Sequence, residues 1–163
     1  TINIALIEYN KPVLGIIYAP AFGSLFFSKK NNGSYKIYTK NNLNTFKNSE
    51  KISVKYTNNE KIRVIGSRSH SNIAFDNWVK KKFTNFEIIE KGSSLKFCEI
   101  AEGKADIYPR FGPTSEWDIA AGHIILLEAG GKLKTIDNKD LVYNKKEDIL
   151  NPHFFAYAHD ALL

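Results

Sequence analysis

The 163-residue chain carries 23 Lys and Arg against 17 Asp and Glu, a net charge of +6, with 43% hydrophobic and 13% aromatic residues. This composition excludes a disordered chain, and no apolar run approaches the ~20 residues that a membrane-spanning helix needs. The excess charge suits an anionic ligand, yet 20 Lys against 3 Arg describes a solvated basic surface rather than the clustered, aromatic-interleaved patch that binds a nucleic-acid polymer.

Cys98 is the single cysteine and has no internal disulfide partner, so a reducing, cytoplasmic compartment is the expectation. The chain has no methionine and starts at Thr1, from which an upstream segment is expected. Its length accommodates one ordinary domain or part of a two-domain protein.

In chain order, residues 1–7 predict a strand, followed by a turn at Asn10-Lys11-Pro12, a strand over 13–18, a turn containing Pro20, a strand over 25–27 and a short fourth strand near 35–38. Glu8, Asn10 and Lys11 interrupt the early apolar run, and no basic flank or cleavage site marks it as a signal peptide. Apolar residues on both faces of this antiparallel meander imply a covered sheet that needs a partner. The polar, Asn-rich stretch 40–60 divides the meander from a second, differently patterned region.

From residue 61 strands and helices alternate, the mark of an α/β layered fold. Strands are predicted over 62–65, 86–89, 105–108, 133–136 and 154–158, and helices over 72–83, 93–101 and 118–129. Ile73, Phe75, Trp78 and Val79 give the first helix its buried stripe, and Lys80-Lys81-Lys82 complements its C-terminal dipole. Gly130-Gly131 stops the third. Residues 1–60 thus read as strands of an incomplete first sheet domain, and 61–163 as an α/β domain.

Chemistry-bearing residues fall at the junctions. Asp118, in Trp117-Asp118-Ile119-Ala120-Ala121-Gly122, stands at a helix N-terminus, where a carboxylate either ligates a hard cation or simply caps the helix. In Gly92-Ser93-Ser94-Leu95-Lys96, a glycine turn opens a helix on which Ser93 and Lys96, three apart, share a face. A hydroxyl and an ammonium there suit a phosphate or ribose oxygen, or else an N-cap beside a solvated lysine. Arg110 follows a short apolar strand, a ligand-facing place in an α/β sheet. Ser67-Arg68-Ser69-His70 lies between a strand and a helix start, where backbone donors face an anion. His123 and Cys98 are assigned to packing.

These strings, with Pro12-Val13-Leu14-Gly15, Tyr18-Ala19-Pro20 and Tyr108-Pro109-Arg110-Phe111-Gly112-Pro113-Thr114, resemble the 3'(2'),5'-bisphosphate nucleotidase branch of the inositol monophosphatase superfamily along nearly the whole chain. The resemblance implies the layered α/β/α/β/α phosphatase fold, of which this chain is the C-terminal portion. It implies a Mg2+-dependent enzyme that removes the 3'-phosphate of adenosine 3',5'-bisphosphate, with Asp118 as catalytic metal ligand and His70, Ser93, Lys96 and Arg110 holding the nucleotide. Inositol phosphatases typically carry an acidic residue near Arg110, so an arginine favours a second phosphate over an inositol ring. Two metal-binding carboxylate motifs of the family, of Gly-x-x-Glu and Asp-Pro-x-Asp-Gly-Thr type, are missing from these residues. The chain alone is therefore expected to be inactive, the other Mg2+ ligands coming from an N-terminal half. The expected partners are a small nucleotide and either a second copy or a separately encoded half. An inositol monophosphatase-like activity and a non-catalytic phosphate-binding remnant are the alternatives.

Overall fold

The computed structural model describes residues 1–39, 48–56, 61–67 and 73–163. Strands β1 (Ile2–Glu8) and β2 (Lys11–Ala19) form a hairpin. The turn sits one residue earlier than predicted, at Tyr9 and Asn10, whose φ angles of 50° and 62° match the twist that a two-residue hairpin loop needs. Lys11 and Pro12 already belong to β2. Strands β3 (Ser24–Lys29), β4 (Ser34–Tyr38) and β5 (Glu50–Ile52) complete an antiparallel sheet in the order β1-β2-β3-β4-β5.

The second sheet has the order β7-β6-β8-β10-β9 and comprises β6 (Ile62–Ser67), β7 (Phe86–Lys91), β8 (Ile107–Arg110), β9 (Lys132–Thr135) and β10 (Phe154–Tyr157). β6 runs parallel to β7 and β8, whereas β10 is antiparallel to β8 and β9. Helices α1 (Ile73–Lys82), α2 (Leu95–Ala101) and α3 (Glu116–Glu128) complete the α/β arrangement. Arg110 is the last residue of β8 rather than the residue after a strand ending at 108. α2 starts later than predicted: Ser94 is its N-cap, and Ser93 precedes it with φ 55°. Ser93 and Lys96 therefore do not share a helix face, because the Gly92-Ser93-Ser94 segment is a turn.

Adjacent residues of a strand point to opposite faces, and β10 shows which layer lies where. Phe154 packs against Phe97 of α2, with ring centroids 6.1 Å apart, and Phe155 against Trp78 of α1 at 4.8 Å. So α1 covers one face of the second sheet, and α2 and α3 lie between the two sheets. Ile17, Phe26 and Ile52 of the first sheet bury against Cys98 and Ala101 of α2 and Ala121 and Ile125 of α3. The close approach depends on Gly15, where a Cβ would sit 2.6 Å from the Ala121 carbonyl oxygen.

Polar ties lock this sandwich. The Glu128 carboxylate accepts the backbone N–H groups of Asn31, Asn32 and Gly33 at 2.9–3.1 Å. The Lys36 ammonium, buried on the inner face of β4, meets the Glu102 carboxylate at the end of α2 at 2.6 Å. α3 ends as its glycines predict, with Gly130 at φ 93° and the Gly131 N–H bonded to the Leu126 carbonyl. His123 is buried with Nδ1 2.8 Å from the Tyr143 hydroxyl, and Cys98 is buried in the inter-sheet core. The opposite face of the first sheet is open among the described residues: Ile2, Ile4 and Leu6 are each at least half exposed. Among the described residues the expected cover is thus present on one face only. No helix among the described residues is long and apolar enough to cross a membrane.

Candidate active site

Four pieces of chain distant in sequence meet at one cleft of about 220 Å³: β1, the start of α2, the end of β8, and the turn into α3. It is lined by Ser93, Lys96, Arg110 and Asp118, four of the five residues expected to form a site. His70, the fifth, lies outside the described residues.

Asp118 occupies the third position of α3. Its Oδ2 accepts the backbone N–H of Ser115 at 2.8 Å, completing a capping box with the Ser115 side chain. The two readings of this residue are compatible, because the carboxylate has a second oxygen and the residue is exposed at the cleft. The turn that presents it is clasped from outside. Asn151 donates from its backbone N–H to the Thr114 carbonyl at 2.8 Å, and the Glu116 N–H donates to the Ile149 carbonyl at 2.9 Å.

Arg110 reaches the cleft from the carboxyl end of β8. One guanidinium N–H bonds the Pro113 carbonyl at 2.8 Å, while its buried Nε has no hydrogen-bond partner. Lys96 is buried, with its Nζ 3.3 Å from the Ser93 carbonyl and 5.5 Å from the centre of the Tyr108 ring. Burial, with the nearby Arg110 guanidinium adding to it, pulls the Lys96 ammonium down to about 8. Two cations drawn together at a partly desolvated spot call for an anion between them.

Two cleft-side residues escape sequence reasoning. Thr1 Oγ1 contacts the Ser93 hydroxyl and lies 2.9 Å from the Ser94 hydroxyl, and Ser94 Oγ donates to Asn3 Oδ1 at 2.6 Å. Ninety residues separate these partners along the chain, so no local motif announces them. The one available signal is the inward alternation of β1, which puts Thr1, Asn3 and Ala5 on the face toward α2 and α3.

The donor set accommodates a divalent cation in part. Among the described residues no cluster of three or more His, Cys, Asp or Glu could hold a metal, and Asp118 offers one hard oxygen. Magnesium is commonly held by one or two carboxylates plus substrate phosphate and water. Asp118 fits as one ligand of such a set.

The Inositol monophosphatase family model matches residues 1–163. The chain is 42% identical over 160 residues to the 3'(2'),5'-bisphosphate nucleotidase CysQ of Buchnera aphidicola, covering 97% of this chain and 57% of that protein. It is 35% identical over 154 residues to the CysQ nucleotidase of Escherichia coli K12, covering 94% and 58%. The crystal structure of CysQ from Bacteroides thetaiotaomicron superposes with a TM-score of 0.86 at 39% identity, covering 96% of this chain and 61% of that one. Inositol monophosphatase from Anabaena gives 0.72 at 25% identity, covering 98% and 62%. This chain therefore spans less than two thirds of the length of these relatives. With the family model matched end to end and two layered sheets that superpose on its solved members, the chain belongs to the inositol monophosphatase family.

Proposed function

We propose that this chain is the nucleotide-holding part of a phosphatase that removes the 3'-phosphate of adenosine 3',5'-bisphosphate, giving AMP and phosphate. The observation that carries this reading is the convergence of Lys96, Arg110 and Asp118 on one cleft. A desolvated ammonium and a guanidinium bind phosphate oxygens, the latter two at a time, and a carboxylate beside them is the natural ligand for a cation that bridges to the same phosphate. When bound, a divalent cation such as Mg2+ neutralises phosphate charge and acidifies water. The chain's own residues bind and orient the ligand. Arg110 holds one phosphate, Lys96 becomes fully charged against it, and Ser93 lies at the sugar side. His70 is proposed to pack near the adenosine.

An inositol ring is the weaker candidate, since its hydroxyls call for an acidic partner where this cleft presents Arg110. The site as described has one carboxylate, so we propose that residues 1–163 alone do not turn over substrate and that residues 1–60 belong to a larger sheet domain. The remaining metal ligands would come from a further, N-terminal segment of the protein, and the lone buried thiol suits a cytoplasmic setting.

The test is phosphate release from adenosine 3',5'-bisphosphate and from inositol monophosphate with Mg2+, first with this chain and then with an N-terminal half of a relative added. Release from the bisphosphate only after the addition supports the reading. Magnesium-dependent release by the chain alone would overturn its inactivity, and preference for inositol monophosphate would overturn the substrate.

A further inference from the structure

The hydroxyls along the β1 side of the cleft have one consistent direction. Each carries a single proton. Ser94 donates its proton to Asn3 Oδ1 at 2.6 Å. Ser94 must then accept in its contact with Thr1 at 2.9 Å, which uses the Thr1 proton. Thr1 in turn must accept in its contact with Ser93, so Ser93 is the donor there. The chain of donation from Ser93 through Thr1 and Ser94 to Asn3 is thereby polarised, and each link strengthens the next.

Its two ends differ in character. At one end the Ser93 oxygen has spent its proton and offers only lone pairs. At the other, the Asn3 carboxamide has used its oxygen, and its Nδ2 makes no hydrogen bond among the described residues. Asn3, Ser93 and Ser94 line the same cleft as the cationic Lys96, whose Nζ lies 3.3 Å from the Ser93 carbonyl, and Arg110. The four side chains of the chain of donation are neutral, with a donor at one end and an acceptor at the other. That pair does not match a phosphate, which accepts only. It matches a hydroxyl, which donates and accepts at once.

We propose that Asn3 and Ser93 together read a sugar hydroxyl next to the phosphate: Asn3 Nδ2 donates to it and Ser93 Oγ accepts from it. For adenosine 3',5'-bisphosphate that group is the 2'-hydroxyl. The inference deepens the nucleotide reading above and rests on it. It makes Asn3, from the first sheet, a specificity-determining residue of a site whose cations come from the second sheet and its helix α2. A site built to hydrogen-bond a hydroxyl discriminates against the analogue lacking it, because its own polar groups are then left without partners.

The experiment is calorimetric titration of the 163-residue chain with adenosine 3',5'-bisphosphate and with its 2'-deoxy analogue. The wild-type chain is expected to bind the ribose ligand at least fivefold more tightly. Asn3→Ala is expected to bring the two affinities within twofold, chiefly by weakening the ribose ligand. Asn3→Asp, which keeps the acceptor for Ser94 and lacks the N–H donors, gives the same loss of discrimination and serves if the alanine variant does not fold by circular dichroism. Equal wild-type affinities, or a ratio unchanged in both variants, would overturn the role of Asn3 and leave the nucleotide reading intact. Failure of the wild-type chain to bind either ligand would overturn the nucleotide reading and this inference with it.

Discussion

Asp118 and Arg110 are tied into the fold and present at the cleft, so their two roles separate by substitution. Asn at position 118 keeps an oxygen to accept the Ser115 N–H and so keeps the cap. Asp118→Asn, assayed with an N-terminal half of a relative supplied, is expected to lower turnover at least a hundredfold at saturating Mg2+, while its urea midpoint stays near wild type, because only the charge on the proposed metal ligand is lost. Near wild-type turnover would remove Asp118 from the metal site. Arg110 donates to Pro113 and has an unpartnered Nε. Arg110→Ala is expected to cost about 2–4 kcal/mol in binding adenosine 3',5'-bisphosphate and less for AMP, as for truncation of a charged hydrogen bond at a desolvated contact. Equal losses on both ligands, measured calorimetrically, would make Arg110 structural. At this scale the junction positions of Ser93, Lys96, Arg110 and Asp118 were legible in the sequence. Type and position alone left Asp118 open to a plain helix cap and Ser93 and Lys96 to an N-cap beside a solvated lysine, and their proposed roles came from the family resemblance. Asn3 was not legible, because its meaning depends on a partner, Ser94, brought to it across 91 residues.

Among the elements, α3 organises the molecule, with one side against the first sheet and the other against α2 and β9. Gly15 on β2 sets how near it comes. A Cβ there would lie 2.4 Å from Ile124 Cγ2 and 2.6 Å from the Ala121 carbonyl oxygen. Gly15→Ala is therefore expected to lower unfolding free energy by about 2–3 kcal/mol in urea, the scale of an overpacked core. A change within 0.5 kcal/mol, roughly the scatter of neutral surface substitutions, would show that the sheet yields. His123, on the same helix, is held neutral by burial, which lowers its titration to about 4 despite the opposing influence of Asp140. The unfolded chain takes up this proton near 6.5. Between those values the unfolded state binds more protons, so stability falls as pH drops from 6.5 to 4, by about 3 kcal/mol from this group in full. His123→Gln is expected to flatten that limb of a pH series of urea midpoints, and an unchanged slope would assign the limb to other groups. The helices and most strands follow from periodicity and stop signals. β5 did not, since Glu50-Lys51-Ile52 has too little alternation to mark a strand until β4 pairs with it.

Across the molecule, the first sheet buries one face and, among the described residues, presents the other. Ile2 and Ile4 are each 54% exposed and Leu6 50%. Beside them Leu14, Ile16, Leu25, Phe27 and Tyr35 line an apolar hollow of about 320 Å³. β1 is also an edge strand, with backbone groups open to pairing. The isolated chain is expected to pair with a second copy through this face, and sedimentation equilibrium at micromolar concentration should show species larger than 18.5 kDa. Ile4→Glu with Ile16→Glu, which places charges on directly opposed residues of that face, should restore a monomer. A wild-type monomer at all concentrations would refute the pairing.

The sequence by itself determined the class of fold, the order of its elements apart from β5, and which polar residues stand at element junctions, because side-chain period, caps and glycine stops act within a few residues. Only the tertiary structure decided that β1 completes the cleft, that Ser93 lies in a turn rather than on α2, and that, among the described residues, one apolar face of the first sheet is covered while its opposite is open. Those outcomes depend on register between strands and on layer packing, and the free energies that select them come from contacts between segments that carry no information about one another locally.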